Sequence, residues 1–227
     1  MTRPGIVILA TTYAPAGERG EARIEAARTA AASWARYLQY DGPLALHIAD
    51  DGSALDESDA IMCEWDRGPI GTSRQERRGV GASLNAGCDV AFAPPAELVL
   101  YVVDDWQLLW DLDLTPWADL LVERPDLAVM RLGPPHPWTR GAIEHDAGRW
   151  FVRLERESFA FATRPALYHA RMFETYGRFR EGVSAFDVER DYADRINAQA
   201  GPDVAIAMPH PWDHIEGVEL ADIVPDG

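Results

Sequence analysis

Two adjacent carboxylates, Asp104-Asp105, follow the longest apolar run in the chain, Leu98-Val99-Leu100-Tyr101-Val102-Val103. Like charges side by side repel, and a hard divalent cation bound through oxygen relieves that repulsion. The competing reading is a solvated strand end with one carboxylate capping the next helix. A second pair, Asp50-Asp51, closes the apolar stretch Leu44 to Ala49 and runs into Gly52-Ser53, which is also a plain turn signal. Thr11-Thr12 ends a third apolar run, residues 5–11. Ligands of open parallel sheets bind beyond the carboxyl ends of the strands. Three polar pairs after three strands would therefore meet at one edge.

The surrounding elements support such an edge. Residues Glu18 to Tyr40 place Ile24, Ala27, Ala31, Trp34 and Leu38 three or four apart, an amphipathic helix. Residues 54–78 read as irregular and polar, with Gly68-Pro69 and Gly71 as breakers. Gly79 to Gly87 opens a helix that reaches about Phe92, ahead of Pro94-Pro95. Strands alternating with helices over the first 110 residues predict βαβ units and a mostly parallel sheet. In the second half, a helix is expected over Thr115–Arg124 and a strand over Leu127–Leu132. Short antiparallel strands are expected at Arg149–Leu154 and Ser158–Thr163, and helices from Arg164-Pro165 to about Phe173 and over Ala185–Gln199. The tail from Pro209 reads as loop. With no repeat and no low-complexity linker, the chain reads as a single α/β domain.

Composition narrows the partners. The 227 residues carry 37 acidic and 21 basic side chains, a net charge of −16. Such a body repels phosphate backbones, so no nucleic-acid partner is expected. Every basic residue is arginine, which excludes a lysine nucleophile, a Schiff base and a P-loop lysine. Cys63 and Cys88 are too few for a cysteine-rich zinc site and read as reduced core thiols. No apolar run is long enough to span a bilayer, and the first strand follows Met1-Thr2-Arg3-Pro4-Gly5 with no signal-peptide pattern. A cytoplasmic protein without membrane insertion is the expectation.

The order of features resembles family 2 glycosyltransferases with the GT-A fold. The resemblance rests on Thr-Thr-Tyr after strand one, Asp-Asp-Gly-Ser after strand two, Gly79-Val-Gly-Ala-Ser-Leu-Asn-Ala-Gly87 before a helix, and a strand ending in Asp-Asp. It continues through Phe161 to Tyr168, Tyr176-Gly177-Arg178-Phe179 and the acidic helix start Asp187-Val188-Glu189-Arg190-Asp191. It implies one GT-A (Rossmann-like) domain, with a mostly parallel central sheet flanked by helices and a smaller antiparallel element in the second half. Residues 1–110 would bind a nucleoside-diphosphate sugar, and residues 111–227 an acceptor hydroxyl on a glycan, protein or small molecule.

By the same resemblance, Thr11, Thr12 and Tyr13 line the nucleobase pocket, and Asp50 or Asp51 accepts from the base or ribose. Asn85 joins the nucleotide-sugar set. Asp104 and Asp105 match the Asp-X-Asp element that holds Mn²⁺ or Mg²⁺ on the pyrophosphate, although Val102 stands at its first acidic position. Leu84 replaces an arginine of the pattern, and Arg74, Arg77 or Arg78 could supply that phosphate contact in its place. A late histidine completes the metal set, His214 being preferred to His210. His47, inside a strand, reads as structural.

The chemistry agrees with this assignment. Glycosyl transfer expels a diphosphate, which a divalent cation stabilises, and the weakly nucleophilic hydroxyl needs a general base on the opposite face of the sugar. An acidic pair at a helix start carries that base in the family. Counting back from Arg195 favours Glu189, whereas the preceding Phe186 favours Asp187; the two stay open. Helix-dipole stabilisation alone would also place acids there. Trp106, Trp138, Trp150 and Trp212 could wall a sugar or simply fill core. The rival readings are a non-catalytic relative that binds a nucleotide sugar or glycan, and a nucleotidyltransferase. The second fits poorly, because Ala14-Pro-Ala-Gly-Glu-Arg19 is no phosphate loop.

Overall fold

Alternation along the first strand sets the layers. Ile6, Ile8 and Ala10 pack into one core and Leu9 into another on the opposite face. A computed structural model of the chain describes residues 3–93, 96–135, 139–146, 148–156 and 160–215. In chain order the first half holds β1 (Ile6–Thr12), α1 (Glu18–Tyr37), β2 (Leu38–Gln39), β3 (Leu44–Asp50), α2 (Glu57–Glu64), β4 (Ile70–Arg74), α3 (Val80–Ala91), β5 (Leu98–Val103), β6 (Trp106–Leu108) and β7 (Leu112–Asp113). Then come α4 (Thr115–Glu123), β8 (Leu127–Arg131), β9 (Gly141–Asp146), β10 (Arg149–Leu154), β11 (Ala166–His169), α5 (Arg171–Tyr176), α6 (Ala185–Ala198), β12 (Asp203–Ala207) and β13 (Trp212–His214).

Nine strands form one sheet in the order β4-β3-β1-β5-β11-β8-β12-β10-β9. Among the described strands only β11 and β10 run against the rest. The fold is the mixed α/β, mostly parallel arrangement that the sequence implies. One face is covered by Ala27, Ala30, Ala31 and Trp34 of α1 with Trp117, Leu120 and Leu121 of α4. The other is covered by Leu84 and Cys88 of α3, Met172 of α5, and Val188 and Tyr192 of α6. Each buried Leu or Ile contributes about 1.5–3 kcal/mol. From β1 the chain moves outward to β3 and β4, then returns to β5 on the other side. A crevice opens where that order reverses, between β1 and β5.

Several expectations are corrected. The stretch read as irregular holds α2 and β4. Helix α2 is one short run capped by Asp56, whose carboxylate accepts from Asp59 N–H, and it buries Ala60 and Ile61. Strand β4 is an edge strand without an apolar face, formed by parallel pairing of Ile70–Arg74 with Leu46–Asp50. The helix expected from Arg164-Pro165 is β11 followed by α5. Ala166–His169 fills the gap between β5 and β8, antiparallel to both, and a run this short carries no readable period. The antiparallel partners of β10 are β9 and β12, and residues 160–163 are not in a strand. Helix α1 stops at Tyr37 because Leu38-Gln39 pairs with β7. The tail contains β13, and Cys63 is exposed, so only Cys88 is a core thiol. His136, Trp138, residues 158–159 and residues 216–217 lie outside the described residues. No helix among those described is long and apolar enough to cross a membrane.

Candidate functional site

A cavity of about 620 Å³ opens at the carboxyl edge, beyond β1, β3 and β5. Thr11, Thr12 and Tyr13 line it from the end of β1, Asp51 from the end of β3, and Val103, Asp104 and Asp105 from β5. Thr163, Arg164, Ser184, Ala185 and Glu189 of the second half also line it, and His214 enters from the tail.

The aspartate pair sits deep in this lining and is already engaged. Arg23 of α1, only 4 % exposed, donates to Asp104 Oδ1, and its Nη1 lies 3.5 Å from Asp105 Oδ2. Burial disfavours the guanidinium's charge, but Asp104 and Asp105 outweigh it and raise the pKa. Helix α1 is held in register with this edge by its far end. There Trp34 Nε1 donates to the Trp106 carbonyl at 2.8 Å, and Ser33 Oγ accepts from Leu108 N–H at 2.9 Å. Glu57, 1 % exposed at the start of α2, lies close to Asp104. Burial first, then the Asp104 charge, push its carboxyl up to about 11, so it is neutral at pH 7.

His214 reaches the pair through backbone pairing. Strand β13 runs antiparallel to β6 with His214 opposite Trp106, and Ile215 N–H donates to the Asp105 carbonyl at 2.8 Å. This sets His214 Nε2 3.4 Å from Asp105 Oδ2, with the imidazole edge-on to Trp106. Asp104 Oδ2 and Asp105 Oδ1 are both buried without a hydrogen-bond partner, and of the two carboxylates Asp105 is the one beside His214. A carboxylate with an unused oxygen beside an imidazole suits a borderline divalent ion. Among the described residues no three His, Cys, Asp or Glu side chains gather as a metal cage. The chain thus offers two donors, which fit an ion completed by a diphosphate rather than a closed structural site.

Next to the pair, the Arg77 guanidinium lies 4.1 Å from the Tyr13 ring centroid, and both line the cavity. Asp51 organises the loop before α3. It accepts from Arg78 N–H and Gly79 N–H at 2.8 Å each, and from Gln75 Nε2 at 2.9 Å. Gly79 takes φ +86° there, the left-handed region that favours glycine. Thr11 Oγ1 is 3.2 Å from the buried Tyr101 hydroxyl.

In the second half of the chain, Thr163 holds Glu189 through its N–H and Oγ1, both to Oε1 at 2.6 and 2.5 Å. Oε2 takes no part in these bonds. Arg131, 2 % exposed, and Arg164 lie near the Glu189 charge. Burial first, and then the Arg164 charge, lower the Arg131 pKa to about 10, with the Glu189 charge opposing them.

Most of the remaining expected residues lie outside the lining. Asp50 accepts from Ser53 N–H at 2.8 Å and pairs with Arg74 at 3.3 Å; Arg74 also donates to the Ser53 carbonyl. Arg78 pairs with Glu181. Asn85 clamps the loop ahead of α6, accepting from Phe179 N–H at 2.9 Å and donating to its carbonyl at 3.0 Å. Ser184 caps α6. Its Oγ accepts from Asp187 N–H and donates to the Asp187 carboxylate, and Arg190 donates to Asp187 Oδ1 at 2.9 Å. Trp106 lines the cavity, Trp212 is core, and Trp150 is 57 % exposed. His210 is absent from the lining.

Arg23, Glu57, Tyr101, Thr163 and Arg164 escape sequence reasoning. Arg23 had a readable signal. It stands four, seven and eleven residues before Ala27, Ala30 and Trp34, on the buried stripe of α1, while Ile24 is only half-buried. A charge on an apolar stripe demands a buried partner.

No protein-family model matches the sequence, and no curated protein does. Solved structures do match. The S. aureus glycosyltransferase TarS, residues 1–349 in complex with UDP, superposes with a TM-score of 0.64 at 13% identity over 92% of this chain. The same fragment with UDP-GlcNAc gives 0.60 at 14% identity over 95% of it. This chain spans 59% and 62% of those two structures, and 36% of the longer TarS structure. The likeness establishes that this chain shares the fold of TarS.

Proposed function

We propose that the chain is a family 2 glycosyltransferase, moving a sugar from a nucleoside-diphosphate sugar to an acceptor hydroxyl with inversion. One observation carries this reading. A single cavity at the carboxyl edge is lined by Asp105, His214 and Glu189 together, on a fold shared with structures that contain UDP and UDP-GlcNAc.

Tyr13 and Arg77 would hold the nucleobase between a ring and a planar cation. The diphosphate would lie toward Asp105 and His214, which would hold Mn²⁺ or Mg²⁺. When bound, that ion would offset the charge that develops on the departing diphosphate oxygen. Glu189 would take the proton of the acceptor hydroxyl as its oxygen bonds to the anomeric carbon. The bond from that carbon to the diphosphate oxygen breaks, and the diphosphate leaves with the electron pair. Thr163, bound to Oε1, would keep Oε2 turned to the acceptor. The Asp187 carboxylate is engaged by Ser184 and Arg190 in the first turn of α6, which favours Glu189 as the base.

The test is a thermal-shift and calorimetric series of nucleoside diphosphates with and without Mn²⁺. A ligand selective for the native state raises the apparent stability, by about 2.7 kcal/mol at a hundred times its Kd. A uridine or other nucleoside diphosphate should raise Tm, and more so with Mn²⁺. No shift with any nucleoside diphosphate under either metal would sink the reading.

A further inference from the structure

The acidic pair is asymmetric in its surroundings. Asp104 is 1 % exposed, receives the Arg23 guanidinium and sits near the neutral Glu57 carboxyl. Asp105 is 8 % exposed and stands 3.5 Å from Arg23 and 3.4 Å from His214. Each carboxylate keeps one buried oxygen without a hydrogen-bond partner, Asp104 Oδ2 and Asp105 Oδ1, so the asymmetry lies in the closer Arg23 contact of one and the His214 neighbour of the other. A buried carboxylate needs a compensating charge, and for Asp104 the chain supplies it from α1. We propose that Arg23 is a positioning residue for the diphosphate site. By neutralising Asp104, it withdraws one carboxylate of the pair from ion binding and holds Asp105 as the partner of His214. The Asp-Asp sequence would thus act as one ion ligand and one internal anchor. This rests on the transferase reading above, because the ion belongs to that reaction.

The proposal predicts a pattern of coupling rather than a single loss. Groups that orient metal ligands typically cost 10–100-fold in metal affinity when removed. Arg23→Gln leaves Asp104 buried and unpaired, so Mn²⁺-dependent UDP affinity should fall by about 10–100-fold, while UDP affinity without metal stays within about threefold. Adding Asp104→Asn to Arg23→Gln replaces the ion pair by two amides and should recover most of the loss. Asp105→Asn should abolish the Mn²⁺-dependent gain in any background. Calorimetry with UDP, alongside electron paramagnetic resonance of bound Mn²⁺, reads all of these without turnover.

If the double variant binds no better than Arg23→Gln, Asp104 is itself an ion ligand and the proposal is wrong. Equal Mn²⁺-dependent affinity in Arg23→Gln and wild type also overturns it. Should Arg23→Gln fail to fold, the double variant against wild type decides: affinity within about threefold supports the anchor role, and loss of Mn²⁺ binding refutes it. A wild-type chain with no Mn²⁺-dependent UDP affinity would instead strike the transferase reading beneath.

Discussion

The two edges of the sheet carry charge in opposite ways. At the carboxyl edge, Arg23, Asp104 and Asp105 are nearly inaccessible and line a cavity, and one oxygen of each carboxylate has no partner. At the starts of β8 and β12, Asp126 and Asp203 meet arginines near the surface. Arg153 spans Asp126, Glu144 and Asp203 at 2.7, 2.5 and 2.8 Å, and Arg124 holds Asp126 at 2.9 Å. Asp126 accepts hydrogen bonds from Arg124 and then Arg153, and these hold its carboxyl below its usual range. Saturated, solvated ion pairs brace a structure. An unsaturated acceptor buried beside a cavity leaves room for something else to bind. What separates a site from a brace is this unused capacity, not the number of charges.

The contrast predicts that changes at the carboxyl edge alter function and spare stability, with the reverse at the other edge. The largest effect is expected at Glu189. Removing a positioned base costs about 10²–10⁴ in rate. Glu189→Gln keeps Oε1 as acceptor for Thr163, so the fold and the donor affinity should hold while transfer falls by that factor. Asp187→Asn should lower transfer far less, since Asp187 is held by Ser184 and Arg190 in the first turn of α6, outside the cavity lining. Turnover with a competent acceptor, beside calorimetric donor affinity, separates the two. Near wild-type turnover in Glu189→Gln would place the base elsewhere or end the inverting mechanism.

Long periodic elements were legible in the sequence because burial imposes its period on them. β1, α1, β3, α3, β5, α4, β8, β10 and α6 follow apolar spacing to within a few residues. Elements formed by tertiary pairing were not. Strand β4 has no apolar face, β11 is four residues wedged between two strands, and β12 and β13 exist because β8 and β6 offer partners. The site divided the same way. Thr11, Tyr13, Asp51, Asp105, Glu189 and His214 stand after strands, on a helix start or in an aromatic tail segment, and the fold gathers them. Asp50, Asn85 and Asp187 have the same residue types but spend them on a turn, a loop and a helix start. Only three-dimensional partners distinguish these two uses of a polar side chain.

A smaller effect is expected at the other edge. Arg153→Met removes three ion pairs whose side chains are partly exposed. Exposed pairs contribute about 0.2–1 kcal/mol each, so the variant should lose about 1–2 kcal/mol of stability. The gap should narrow in 1 M salt, where screening reaches a few ångströms. Donor affinity should not move. Urea titration at low and high salt, with calorimetry, tests both halves. A loss of donor affinity without a loss of stability would break the contrast between the edges.

The smallest expected effect is a pH dependence near the same edge. His169 ends β11, and its Nδ1 accepts from Arg171 N–H at 3.2 Å; the Arg171 guanidinium in turn donates to the carbonyls of Arg124 and Leu127 at 2.8 and 2.9 Å. Burial first, and then the Arg171 charge, lower the imidazole's pKa to about 4. In the unfolded chain it takes up its proton near 6.5. Between those values the unfolded state holds more protons, so stability declines as pH falls through this window and the contribution is flat outside it. Half-exposure limits the change to about 1 kcal/mol or less. His169→Asn offers Oδ1 in place of Nδ1 and does not titrate, so it should remove this part of the acid sensitivity. The brace does not confuse the reading at pH 4.5. Asp126, held below its ordinary value, contributes stability that is present above about 4 and fades only as pH falls further. The stability difference between wild type and variant should therefore change between pH 7.5 and 4.5, to the detriment of wild type. An identical difference at both pH values would mean that the neutral imidazole at the end of β11 carries none of the acid sensitivity.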